Sequence, residues 1–131
     1  MNNSGITKII NWKVILIGII AYFVVMMLIV VALYISGNYN TPDISYSPLT
    51  YIFLMSISGI ITGFFSGREY LNGIINSVIV AVFYSIIMGL FSGLYYLMAG
   101  LFILGAFGLL GGLIGVIIYR KYNNYNLKAN E

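Results

Sequence analysis

Apolar residues occupy this chain in long uninterrupted runs, and short polar or glycine-rich intervals separate them. Residues 14–35 carry no charge, and as a helix rising about 1.5 Å per residue they reach about 33 Å, enough for a hydrocarbon core of about 30 Å. The same pattern predicts further spans at 49–66, 74–90 and 95–119. Strands of a membrane barrel alternate polar and apolar positions over about ten residues, and these runs do not. The expectation is all-α: an integral membrane four-helix bundle whose antiparallel spans run up and down through the bilayer.

The intervals between runs have distinct chemistry. Residues 37–48, GNYNTPDISYSP, gather Gly, Asn, Pro, Asp and Ser and predict an external loop, with Asp43 capping or bending it. Pro48 suits the first position of the next helix, where its missing N–H costs nothing, and Ser47 is placed to cap it. Residues 67–73, from Gly67 through Arg68 and Glu69 to Gly73, predict a short cytoplasmic turn. Phe91 to Leu94 form an uncharged hinge, and the polar tail 122–131 is expected to fray beyond the last helix.

Charge supplies the orientation. The six basic residues, Lys8, Lys13, Arg68, Arg120, Lys121 and Lys128, all fall on one side of a four-span arrangement. Short loops and tails rich in Lys and Arg stay in the cytoplasm, so both termini and the 67–73 turn are expected inside. Trp12 and every tyrosine except Tyr22 and Tyr84 then lie at or near a membrane interface, where amphipathic rings are favoured. A positive start before an apolar run also describes a secretory signal, but a signal's apolar core is about 7 to 15 residues. The 14–35 run is longer, so a retained signal-anchor is expected, with Ala32 to Gly37 as the cleavage zone of the alternative.

Composition agrees with lipid as the solvent. The chain is 61% hydrophobic and 7% charged, against about 25% charged in soluble domains. One transmembrane domain over residues 1–131, in the cell membrane with the lipid bilayer as its first partner, follows. The basic residues border apolar runs and form no stripe, so no nucleic-acid partner is expected. Without histidine or cysteine there are no disulfides and no thiolate or imidazole metal ligands, and no cofactor or metal is expected.

Helix contact in lipid depends on small residues that let backbones approach closely. The second span repeats Gly59, Gly63 and Gly67 beside Ser58, Thr62 and Ser66. The third carries Gly73, Ser77, Ala81, Ser85 and Gly89, and the fourth carries Gly105, Gly108, Gly112 and Gly115 on one stripe with Gly111 beside it. The first has only Gly18, Ala21 and Ala32, and is expected at the periphery. Such ladders serve either packing within one bundle or a homo-oligomer, as in glycine-zipper pores.

Chemistry is sparse. No predicted span holds an acidic, basic or histidine side chain, whereas ion-coupled transporters keep one there. The small four-helix multidrug transporters match this chain in size, but their first-span carboxylate is absent. The polar side chains in the spans include Ser56, Asn76 and Ser77. Tyr22, Ser58, Thr62, Tyr84 and Ser85 are placed to meet inside the bundle, as a solute site or, the stronger expectation, as hydroxyls satisfied by one another and by backbone carbonyls. No nucleophile has a nearby base, and Asp43 and Glu69 are expected on opposite sides, so the chain is not expected to be an enzyme.

The start Asn11-Trp12-Lys13, the run Ser58-Gly59-Ile60-Ile61-Thr62-Gly63-Phe64-Phe65-Ser66-Gly67, the spacing Tyr70-x-x-Gly73-x-x-Asn76 and the glycine-rich last span make a recognisable set. Across residues 11–119 the chain resembles an archaeal family of small four-span, glycine-rich membrane proteins of unknown function. Around 58–66 it uses Ser, Thr and Phe where that family more often has Gly, Ala and Tyr. The resemblance implies the same four-span fold and carries no activity, ligand or catalytic residue. The expected role is a structural or interaction component of the membrane, with a membrane-protein partner. A homo-oligomeric channel or passive small-solute transporter built on the glycine faces is the alternative.

Overall fold

A computed structural model describes residues 9–37 and 48–129, with side chains described as far as Tyr125. The described chain forms α1 (Trp12–Ile35), α2 (Pro48–Phe65), α3 (Tyr70–Ser92) and α4 (Leu94–Ala129). Each of the four is long and apolar enough to cross a membrane. Residues 38–47 of the expected external loop, with Asp43 and the Ser47 cap, and the Lys8 anchor lie outside the described residues.

Local chemistry sets the helix ends. Asn11 caps α1, its side-chain oxygen accepting from the backbone N–H of Lys13 at 3.2 Å and of Val14 at 3.5 Å. After Ile35 the chain leaves the helix at Gly37, whose φ of +73° favours a residue without Cβ. Pro48 is the first residue of α2, as its fixed φ and absent donor allow.

Two boundaries differ from the sequence reading. The α2–α3 connection is over by Glu69, and α3 begins at Tyr70, so Gly73 lies in its first turn. A glycine beside charges resembles turn punctuation, but here it is helical and packs against α4. The fourth helix does not stop at Arg120 and Lys121: α4 continues to Ala129. Its 36 residues make a rod about 54 Å long, so one end must project beyond a hydrocarbon core of about 30 Å. Between α3 and α4 the only non-helical residue is Gly93, at φ +98°.

The helices are joined unequally. α4 lies against both α3 and α2 along most of their lengths, and α1 rests on α2 and α3. Its buried residues, Val14, Ile15, Gly18 and Tyr22, all belong to its first half. Beyond them Phe23, Met27, Leu28 and Val31 are exposed, an arrangement that water would penalise and lipid tails would not.

The interior is mixed in character. Leu54, Met55, Val80 and Val116 are fully buried beside Ser58, Thr62, Asn76, Ser77 and Ser85, each at 0–1% exposure. Polar groups are thus gathered inward while large apolar side chains face out. A buried hydroxyl or amide needs a hydrogen-bond partner, and the partners here reveal how the helices hold together.

Candidate functional site

The predicted small-residue faces meet in one seam. α4 presents two glycine rows to two neighbours. A Cβ at Gly111 would lie 2.8 Å from the Ser56 carbonyl oxygen and 3.0 Å from the Gly59 Cα, and one at Gly115 would run into the Ile60 carbonyl and the Phe64 amide. On the adjoining row, a Cβ at Gly108 would lie 3.0 Å from Ala81 Cβ, and one at Gly112 would lie 2.7 Å from Ser77 Oγ. These gaps are shorter than ordinary carbon contacts, so only hydrogen fits at the Cα.

The opposite walls are equally tight. A methyl group at Gly63 would collide with the Gly112 backbone, and one at Gly59 would lie 3.1 Å from the Gly108 carbonyl oxygen. Gly73 faces the Gly112 carbonyl and the Val116 side chain. Ser77 adds a directional bond, its hydroxyl donating to the Gly59 carbonyl at 3.1 Å.

Other members of the ladders do different work. Gly89 packs on Leu97 across the α3–α4 hairpin, and Ser85 sits beside Gly100. Gly67 is open all round but holds φ at +92°, so it shapes the α2–α3 turn. Gly105 has open space where a side chain would be.

A second seam joins α1 to the rest by hydrogen bonds. Ser58 donates to the Gly18 carbonyl at 2.7 Å, and Tyr84 donates to the Ile19 carbonyl at 2.8 Å. Thr62 donates to the Ser58 carbonyl at 2.7 Å, and its hydroxyl occupies the place that a Cβ on Gly18 would need. One turn along α1, the Tyr22 ring stacks on Tyr84 with centroids 3.7 Å apart and an interplanar angle of 21°. Tyr22, Ser58, Thr62 and Tyr84 therefore converge on residues 18–22. Ser85 does not join them, for its hydroxyl donates within α3 to Ala81.

Asn76 stands in the sequence as a polar residue in a span and as the end of the Tyr70-x-x-Gly73-x-x-Asn76 spacing, yet in the fold it ties three segments together. Its carbonyl oxygen accepts from the Asn11 N–H at 3.0 Å, and its amide donates to the Ile9 carbonyl at 3.3 Å and to Ser66 Oγ at 3.1 Å. The start of α1 and the end of α2 are thereby fixed to α3. No sequence signal foretold this, because the partners are mostly backbone groups preceding α1.

The same end of the molecule gathers the basic residues. Arg120 Nε donates to the Arg68 carbonyl at 2.7 Å, bringing α4 to the α2–α3 turn, and its guanidinium lies 3.9 Å from the centre of the Tyr70 ring. Lys121 follows it on α4, and Lys13 is exposed at the start of α1. Phe64 adds edge-on contact with Tyr119, centroids 5.5 Å apart.

Chemically, the arrangement offers helix-to-helix adhesion. The hydroxyls of Ser58, Thr62, Ser77, Tyr84 and Ser85 all donate to backbone carbonyls. Among the described residues, no three His, Cys, Asp or Glu side chains come together as a metal site. Compared with known proteins, the chain matches no family model, no curated protein and no solved structure.

Proposed function

We propose that the chain is a structural or interaction component of the cell membrane: an antiparallel up-down bundle, termini in the cytoplasm, packed through Gly, Ser and Ala faces and serving a larger membrane protein as a small partner. One observation carries this reading. The glycine rows of α4 already lie against Gly59, Gly63 and Gly73 of the same chain. A homo-oligomeric pore or passive transporter built on those faces would need them free. The resemblance to the archaeal four-span family, carried by the 58–67 run and the Tyr70, Gly73 and Asn76 spacing, is part of the same proposal.

Orientation rests on Lys13, Arg68, Arg120 and Lys121, which belong to one end of the bundle and favour the cytoplasmic side. The chain has no cysteine, so a single introduced thiol is a clean reporter. In intact cells a membrane-impermeant maleimide should label Ser92→Cys and spare Asn124→Cys until the membrane is permeabilised. Labelling of both from outside would refute the topology. Liposomes carrying the protein should hold ion and small-solute gradients as long as empty ones, and rapid dissipation would instead establish the transport reading.

A further inference from the structure

We infer that Arg68 and Arg120 form a binding site for the phosphate of an anionic phospholipid in the leaflet that faces the chain termini. The inference extends the membrane reading above to a specific lipid contact.

The two arginines are drawn together by neutral groups. Arg120 gives its Nε to the Arg68 carbonyl and lays its guanidinium on the Tyr70 ring. The Arg68 guanidinium turns to Asn123, one turn further along the same face of α4, whose amide, oriented with its oxygen toward the arginine as hydrogen bonding requires, accepts from Nε at 3.1 Å and also from Nη2. Among the described residues, neither arginine makes a salt bridge, and the terminal nitrogens of Arg120 have no acceptor. One cation in the α2–α3 turn and one on the adjoining stretch of α4 repel each other, and an anion between them offsets that repulsion.

Geometry selects the anion. Guanidinium forks match the paired oxygens of a phosphate, and an arginine held on an aromatic face is already oriented for it. The depth is that of a headgroup. Arg120 is the first charge after the apolar run of α4, and the aromatic side chains of Tyr70, Tyr119 and Tyr122 surround this end, as interfacial rings do. A phosphate fixed to a diacyl tail at that level is present at high local concentration, whereas a free phosphate must come from bulk water.

Native mass spectrometry of the full chain, released from nanodiscs of equal phosphatidylglycerol and phosphatidylcholine content, tests this. The wild type should retain phosphatidylglycerol over phosphatidylcholine by about thirtyfold, the combined attraction of two basic residues to an anionic lipid. Arg68→Gln combined with Arg120→Gln should abolish the preference. Lys13→Gln, which removes a charge at the same end of the bundle but outside the pair, should keep it. No preference in the wild type, loss of it in Lys13→Gln, or persistence in the double variant would overturn the site. Displacement of the lipid by millimolar inorganic phosphate would show a free-anion site and also overturn the proposal. Because the wild-type preference is itself decisive, a misfolded double variant does not leave the question open. The assay is blind to which side of the cell the arginines face, so its failure is separable from failure of the topology.

Discussion

The two seams of this bundle solve the same problem in different ways. α4 is joined to α2 and α3 by backbone brought against backbone, with Gly63 and Gly112 facing each other and Gly111 and Gly115 under the α2 carbonyls. α1 is joined by hydroxyls from Ser58 and Tyr84 that reach its carbonyls at Gly18 and Ile19, and by the Asn76 tie at its start. Close packing needs many small residues in register and gains from van der Waals contact along a whole face. Hydrogen bonds need only a few donors, each worth about 0.6 to 2 kcal/mol in a membrane. The α4 seam is thus cooperative and brittle, and the α1 seam divisible and tolerant.

The sharpest way to break that contrast is at Gly63. Replacing it with leucine puts a side chain where the Gly112 backbone lies, and should cost at least about 3 kcal/mol, because neither helix can yield without moving the other. Circular dichroism during heating in mild detergent would show loss of the cooperative transition. A Gly63→Leu protein melting like the parent would mean the seam is not as described.

Asn76→Ala should rank second. It leaves the Asn11 N–H and the Ile9 carbonyl without their partner and should destabilise by about 2 kcal/mol, with faster proteolysis at the start of α1 before any global unfolding. If cleavage and global unfolding accelerate together, α1 is not independently anchored.

Tyr84→Phe and Ser58→Ala each remove one hydroxyl from the α1 seam and should cost about 1 kcal/mol apiece. Both donors act on neighbouring carbonyls of one helix turn, so the double variant is informative. Destabilisation equal to the sum supports a divisible seam, and a much larger loss would make the α1 seam as cooperative as the other. Gly105→Ala should do least. Nothing approaches within 4 Å of a Cβ there, and an unchanged melting temperature is expected despite its place in the same sequence ladder.

Much of this architecture was legible because a bilayer imposes simple requirements. Unbroken apolar length revealed the four helices, and the chemistry of Pro48 marked the start of α2. The small residues announced close approach, but a linear pattern does not say which row meets which neighbour. Gly108 and Gly112 line both α3 and the α2 glycines Gly59 and Gly63, while Gly115 of the same stripe and Gly111 beside it turn to the α2 backbone alone. Gly73 was misplaced for a related reason, since packing and turn-making call for the same residue. The end of α4 was hidden because Tyr122 to Ala129 has neither apolar periodicity nor a stop signal, so nothing local distinguishes a projecting helix from a frayed tail. Asn76 stayed unread because its partners are defined by tertiary proximity alone.

The central claim is that one chain satisfies its own glycine faces. Co-expression of an epitope-tagged copy with an untagged copy, gentle detergent extraction and purification through the tag test it directly. The tagged chain should emerge without the untagged one, at the mass of a single 14.5 kDa protomer plus lipid and any different companion protein. Recovery of the untagged copy in fixed proportion, abolished by Gly63→Leu, would place those faces between chains and contradict the account.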